Sequence, residues 1–154
     1  MKAEYVNPFL QASHSVLEMV LGARPIQGAL AAQTSTKSTQ QCCVVCGVTG
    51  QVEGQVIYGM SLSTADNIAS AMLGQQIETF DALAASALGE LGNMISGNAL
   101  QFLSEAGWIC DITPPTVMRG PDVRVTTISV PAIVVPLTMD HGDLFLTVGV
   151  QGRK

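Results

Sequence analysis

From about Thr79 to Ala106 the apolar residues Leu88, Leu91, Ile95, Ala99 and Phe102 recur at three- and four-residue steps, and Gly107 follows. That is the period of an α-helix with a buried side, closed by a glycine just past its end. At about 100° per residue, Ser86, Glu90, Asn93, Gly97, Gln101 and Ser104 fall within about 40° of one line on the other side. Most of this helix must be packed against the rest of the chain, and a narrow polar stripe is left over. Any fold for this sequence has to supply the surface that covers the apolar side.

The flanking segments supply it from strands. After Asn7-Pro8, the residues Phe9, Ala12, Val16, Met19 and Val20 mark a first helix from about Asn7 to Leu21, ended by Gly22. From Ile26 to Met60 the composition turns to β-branched and small residues: Ala29 to Lys37, Gln41 to Thr49 and Glu53 to Met60 read as three antiparallel strands. The breaks at Ser38-Thr39 and Gly50-Gln51 are short enough for hairpin turns. Ser63-Thr64-Ala65-Asp66 has a capping-box form and precedes Ile68, Ala69, Ala71, Met72 and Leu73, a short helix before Gly74. Beyond the long helix, Trp108 to Thr113 reads as a short strand stopped by Pro114-Pro115, and Thr116 to Gly120 as a loop or second short strand. Val123 to Ile128, Ala132 to Met139 and Leu144 to Val150 complete the strands, the last two joined across Asp140-His141-Gly142-Asp143. Pro131 and Pro136 point to an edge or a bulge, because proline cannot donate to a ladder. The fold class is α+β, an antiparallel sheet packed against helices in a sandwich-like domain with a long central helix. The order hints at duplication, without a clean sequence repeat.

Length and composition fit one domain spanning 1–154, since 47% of the 154 residues are hydrophobic and 12% charged. A mean hydropathy of +0.36 raises the question of a membrane span. No uninterrupted apolar run reaches the roughly 18 residues that crossing a bilayer requires. Met1 to Pro8 lacks the basic and apolar regions of a signal peptide, so the expected compartment is the cytoplasm. A net charge of −5, with seven scattered Lys and Arg, argues against nucleic acid and for a protein partner. Low charge with high apolarity also suggests burial against a second copy, a homodimer.

Cys43-Val44-Val45-Cys46 has redox and zinc spacing, but no second Cys/His pair completes a metal site. Cys42 to Val48 reads better as a buried strand with cysteine as a small hydrophobe, and no metal site is expected. His14 lies on a helix, and His141 sits in a turn with Asp140 and Asp143, residues that ordinarily form turns rather than bind cations. Ser86 and Ser96 have no general base at a recognisable spacing.

The chemistry therefore falls to the stripe. Glu90 and Asn93, at i and i+3, present a carboxylate and an amide side by side. A carboxylate can accept hydrogen bonds, pair with an ammonium or act as a base; an amide donates and accepts, and can hold a water by two contacts. Neither is a strong nucleophile. Gly92 and Gly97 each lose about 1 kcal/mol of helix stability relative to Ala, understandable if something approaches the helix closely or if another element packs there. Taken alone, such a stripe is more often an ordinary solvated face.

The order Glu90-Leu91-Gly92-Asn93-Met94-Ile95-Ser96-Gly97-Asn98-Ala99 closely resembles the Glu-x-x-Asn helix of the CheC/CheX/FliY family of chemotaxis phosphatases. The opening Asn7-Pro8-Phe9, a single such helix, and Ile112-Thr113-Pro114-Pro115-Thr116-Val117 favour the CheX branch. Glu4-Tyr5-Val6-Asn7 also satisfies the short pattern, but at the chain start ahead of Pro8 it reads as coincidence. The first helix carries Glu18-Met19-Val20-Leu21, without an asparagine, so one site per subunit is expected.

The resemblance implies accelerated hydrolysis of the phospho-aspartate of a CheY-type response-regulator receiver domain. Asn93 orients the attacking water and Glu90 engages a receiver lysine, with no covalent intermediate. Ser86, Gly97 and Gln101 extend the partner-binding face. It implies no cofactor of the chain's own, Mg2+ on the partner receiver, and a homodimer with sheets joined across subunits. The alternative is a non-catalytic receiver-binding or scaffold domain using the same helical face.

Overall fold

The computed structural model describes residues 3–33, 37–126 and 131–153. The elements follow in the order α1 (Ala3–Leu21), β1 (Ile26–Gln27), β2 (Ala31–Gln33), β3 (Lys37–Gly50), β4 (Val52–Met60), α2 (Leu62–Leu73), α3 (Ala82–Glu105), β5 (Cys110–Ile112), β6 (Thr116–Thr126), β7 (Ala132–Met139) and β8 (Gly142–Gly152). The strands form one antiparallel sheet in the order β1-β7-β8-β4-β3-β5, with β2 also on β7 and β6 also on β3. All three helices lie on one face. There Val44, Cys46 and Val48 of β3, Val56, Tyr58 and Met60 of β4, and Leu144, Leu146 and Val148 of β8 meet Phe9, Val16 and Leu17 of α1, Ile68 of α2, and Leu88, Leu91, Ile95 and Ala99 of α3. Alternation of side chains along a strand makes this division, and the opposite face carries a separate small cluster of Cys43, Ile57 and Val125.

The α+β class and the long helix are as expected, and the differences have local causes. Helix α1 begins at Ala3 rather than Asn7, with Pro8 inside it. Tyr5 and Val6 are buried, and the Tyr5 ring meets Trp108 edge-on at 5.4 Å, so packing holds the first turns despite the missing proline N–H. Glu4 to Asn7 is thus helical. Ser38-Thr39 is not a turn, because β3 runs unbroken through it and β2 pairs with β7 instead. The Gly50-Gln51 turn does join β3 to β4. The expected Ala29–Lys37 strand is observed as Ala31–Gln33, and its residues 34–36 lie outside those described.

Thr116 to Gly120 and Val123 onward are one strand, β6, rather than two; residues 127 and 128 of the expected Val123–Ile128 strand lie outside the described residues. Pro121 is accommodated where the pairing steps from Gln40↔Val123 to Cys42↔Arg119, leaving Gly120, Pro121 and Asp122 across from Gln41, a bulge. Pro136 sits where β1 gives way to β2, between the pairs Gln27↔Leu137 and Ala31↔Val134. Helix α2 is capped by Ser61, two residues before the anticipated Ser63, with the Thr64 N–H donating to Ser61 Oγ at 3.1 Å. Asp66, freed from capping, pairs with Arg119 of β6 at 2.9 Å, and that guanidinium lies 4.0 Å from the centre of the Phe80 ring. This ties α2 and the link before α3 to the sheet. No helix among the described residues is long and apolar enough to cross a membrane.

Candidate active site

Helix α3 starts where Asp81 Oδ1 accepts from the Ala84 N–H at 3.0 Å, so the helix begins at Ala82 rather than at about Thr79. Its inward face is seated closely. A Cβ on Gly92 would come within 2.7 Å of Val44 Cγ1 and 3.4 Å of Tyr58 Cδ2, so this glycine exists for contact with the sheet. One turn later the buried Ser96 shares a 2.7 Å hydrogen bond with the Tyr58 hydroxyl. Gly97 is different: it is exposed, with nothing within 4 Å of a Cβ placed there.

The outward face borders a groove of about 610 Å³ lined on the α3 side by Ser86, Gly89, Glu90 and Asn93 and on the other by Ile112, Thr113, Pro114, Pro115 and Val117. The second wall is the link between β5 and β6. It is rigid for two reasons: consecutive prolines restrict it, and Thr113 is bonded twice to β3. The Gly47 N–H donates to Thr113 Oγ1 at 2.8 Å and the Thr113 N–H donates to the Gly47 carbonyl at 2.9 Å. The walls meet near Gly89, where a Cβ would make ordinary contacts of 3.5 Å with Val117 and 3.7 Å with Pro115.

Glu90 is exposed and Asn93 half-buried, and within the described chain neither side chain is engaged in a hydrogen bond or ion pair. Both are therefore available to a partner entering the groove. Ser86 shares the groove with them. Gly97 and Gln101 are exposed further along the same helix, beyond the groove lining. The sequence reading assigned no role to Thr113, Pro114 and Pro115 as a facing wall, or to Ser96 and Tyr58 as the seat beneath. In sequence the proline pair reads as a strand stop and as part of the family signature; its position opposite Glu90 is a matter of topology alone.

The other candidates are placed elsewhere. Cys43 faces the helix-free side of the sheet while Cys46 faces α3, as residues three apart in a strand must, so the Cys-x-x-Cys pair cannot converge on a metal. Burial raises the thiols of Cys42 and Cys46, and it pushes Cys43 up to about 11, with the neighbouring Cys42 adding to the shift. These are neutral thiols in a core. His14 Nε2 lies 2.9 Å from Gln27 Oε1, and the His141 carbonyl accepts from Asn67 Nδ2 at 3.1 Å; neither histidine borders the groove. Among the described residues no three His, Cys, Asp or Glu side chains come together as a metal site.

The α+β fold, with the α3 sequence that resembles the chemotaxis-phosphatase helix, points to a chemotaxis-phosphatase type of domain, and comparison with known proteins supports that family. The family described as chemotaxis phosphatase CheX matches residues 42–138. The CheY-P phosphatase CheX of Thermotoga maritima is 35% identical over 99% of this chain and 100% of its own length. The chain belongs to the chemotaxis phosphatase CheX family. Among solved structures, the chemotaxis protein CheX from Desulfovibrio desulfuricans superposes with a TM-score of 0.88 at 28% identity, covering 97% of this chain and 99% of that one. CheX in the CheX–CheY–BeF3–Mg2+ complex from Borrelia burgdorferi gives 0.83 at 29% identity, covering 96% and 97%.

Proposed function

We propose that residues 1–154 act as a single CheX-like domain that accelerates hydrolysis of the phospho-aspartate of a CheY-type receiver. Asn93 and Glu90 are the working pair. The observation that carries this reading is their joint position on one wall of the α3 groove, without a partner among the described residues. Asn93 offers both a donor and an acceptor on a short stem, enough to hold a water in line with a phosphoryl group. Glu90, one turn earlier and exposed at the groove, suits a lysine on the receiver, a contact that aligns the two proteins. Ser86, Gly97 and Gln101 are proposed to extend that contact along the helix.

Phosphoryl transfer asks little covalent chemistry of the protein and much positioning. Charge on the phosphoryl oxygens is neutralised by Mg2+ held by the receiver, part of the substrate rather than a cofactor of this chain; the Borrelia burgdorferi complex of CheX with CheY contains Mg2+. A receiver substrate sets the proposed compartment as the cytoplasm. The proposed homodimer is supported by the helix-free sheet face, where Val45, Met118 and Val123 are only partly buried, and by β6, which among the described residues pairs on one side only.

The deciding experiment follows phosphate release from a phosphorylated CheY-type receiver in Mg2+ with this protein substoichiometric. Many turnovers per molecule are expected. Stable binding with an unchanged phosphate lifetime would instead establish a non-catalytic scaffold, and light scattering on the same sample reads the oligomeric state.

A further inference from the structure

Tyr58 is a fully buried strand residue with two contacts to one helical turn. Its ring lies under Gly92, 3.4 and 3.5 Å from where a Cβ would stand, and its hydroxyl is 2.7 Å from Ser96 Oγ. Gly92 and Ser96, at i and i+4, lie on the inward face of α3 and bracket Asn93. We propose that Tyr58 is a positioning residue for the reaction: through Gly92 and Ser96 it sets the depth and rotation of α3, and so the place at which the Asn93 amide meets the receiver. The proposal rests on the assignment of Asn93 made above.

Any buried tyrosine hydroxyl needs a partner, and a core serine would serve. What goes beyond that need is where the constraint falls. Val44 stops the helix from below at Gly92, and the Tyr58–Ser96 bond stops it from rolling. The facing wall is fixed to the same hairpin, because Thr113 is bonded to Gly47 of β3. Both walls of the groove are thus referenced to β3 and β4, Val44 and Gly47 on one strand and Tyr58 on its neighbour.

The two working side chains differ in how they tolerate a shifted helix. Glu90 has an extra methylene and lies in solvent, so it can follow a lysine through small displacements. Asn93 has a single methylene and is half-buried in the groove. A displacement of about 1 Å at a positioning group can lower a rate by roughly 100-fold, so loosening the seat should reach turnover before binding.

The test measures kcat and KM on a phosphorylated CheY-type receiver for Tyr58→Phe, Ser96→Ala and the double variant, with melting temperatures. Tyr58→Phe should lower kcat about tenfold with KM within about twofold. The double variant should resemble either single one, because both remove the same bond. Ile68→Val in α2, a core change of similar thermal cost, should keep wild-type kcat. Should Tyr58→Phe not fold, Ser96→Ala carries the same comparison. Wild-type kcat in a Tyr58→Phe protein with a lowered melting temperature would reduce Tyr58 to core packing and overturn the proposal. In the same assay Asn93→Ala separates the two readings: if it kills turnover while Tyr58→Phe does not, only the positioning role falls; if it retains turnover, the site assignment falls first.

Discussion

Helices α1 and α3 lie side by side on one face of the sheet, and each turns an exposed glutamate to solvent, Glu18 on α1 and Glu90 on α3. On α1 the surface beside Glu18 is a depression of about 300 Å³ lined by Gln11, His14, Ser15 and Arg24, residues of the helix itself and the turn after it. On α3 the groove is twice as large and has a second wall contributed by Thr113, Pro114 and Pro115 from a different part of the chain. Three residues after Glu18 stands Leu21, whereas three after Glu90 stands Asn93. An acidic residue on a helix is therefore common to both. What distinguishes α3 from the surface around Glu18 is a second functional group on the same face and a rigid wall opposite that limits how a partner can approach; the exposed Glu4 and Asn7 of α1 share the spacing but do not line this groove.

That contrast predicts the largest effect at Asn93. Asn93→Ala should lower the rate of receiver dephosphorylation by roughly 100-fold without unfolding the protein, since the side chain has no partner among the described residues. A single-turnover assay with unaltered circular dichroism checks it; a wild-type rate would erase the distinction between the helices.

Next comes the pair of helix glycines. Gly92→Ala should destabilise by about 2 kcal/mol, because the new methyl meets Val44 within 2.7 Å, the overpacking case. Gly97→Ala should stabilise by about 1 kcal/mol, since its site is open and alanine is the better helix former. Denaturant midpoints measure both. If Gly97→Ala also weakens receiver binding, the face extends past the groove to Gly97, as the sequence reading expected.

At Glu90 a moderate change is expected. Glu90→Ala should raise KM for the receiver about threefold, the size of one solvent-exposed ion pair, and Glu90→Lys should raise it further through like-charge repulsion. Glu18→Lys on α1 should leave KM unchanged. Equal responses at Glu18 and Glu90 would show that overall charge, rather than the groove, governs docking.

The smallest effect at neutral pH comes from the buried thiols. Burial raises the folded-state value of Cys43 from 9.0 to about 11, so below pH 9 the thiol is neutral in both folded and unfolded chains and its contribution is fully present. Between pH 9 and 11 the unfolded chain ionises first, and stability falls as pH rises. Thermal melts at pH 8 and pH 10.5 should show this loss, smaller in Cys43→Ala than in the parent. The half-buried Cys110 should react with a thiol reagent before the buried Cys42, Cys43 and Cys46.

The site was legible in part because its information is local. Helical periodicity placed Ser86, Glu90 and Asn93 on one face, and all three line the groove. The resemblance to a family motif then supplied a substrate that no spacing could. The β order was less legible. Ser38-Thr39 looked like a turn because small polar residues mark turns, yet β3 carries them through its ladder with β6, a pairing made by residues more than 70 positions apart. The two parts of β6 looked separate because Pro121 interrupts the pattern, and only the bulge across from Gln41 shows how one strand absorbs it. Ser96 gave no signal of its role: a serine among Leu88, Ile95 and Ala99 becomes intelligible only when Tyr58 is found beneath it.

By itself, then, the sequence determined which side of α3 is buried and which residues it offers to solvent, because a helix converts spacing into direction. It also determined the α+β class, since the periods of helix and strand are set over a few residues. Tertiary structure decided the rest: that Thr113-Pro114-Pro115 stands across from Glu90 and Asn93, and that Gly92 is a contact and Gly97 an open surface. Each of these depends on which distant strands pair and in what register, a choice made by the packing of the whole core rather than by any one segment.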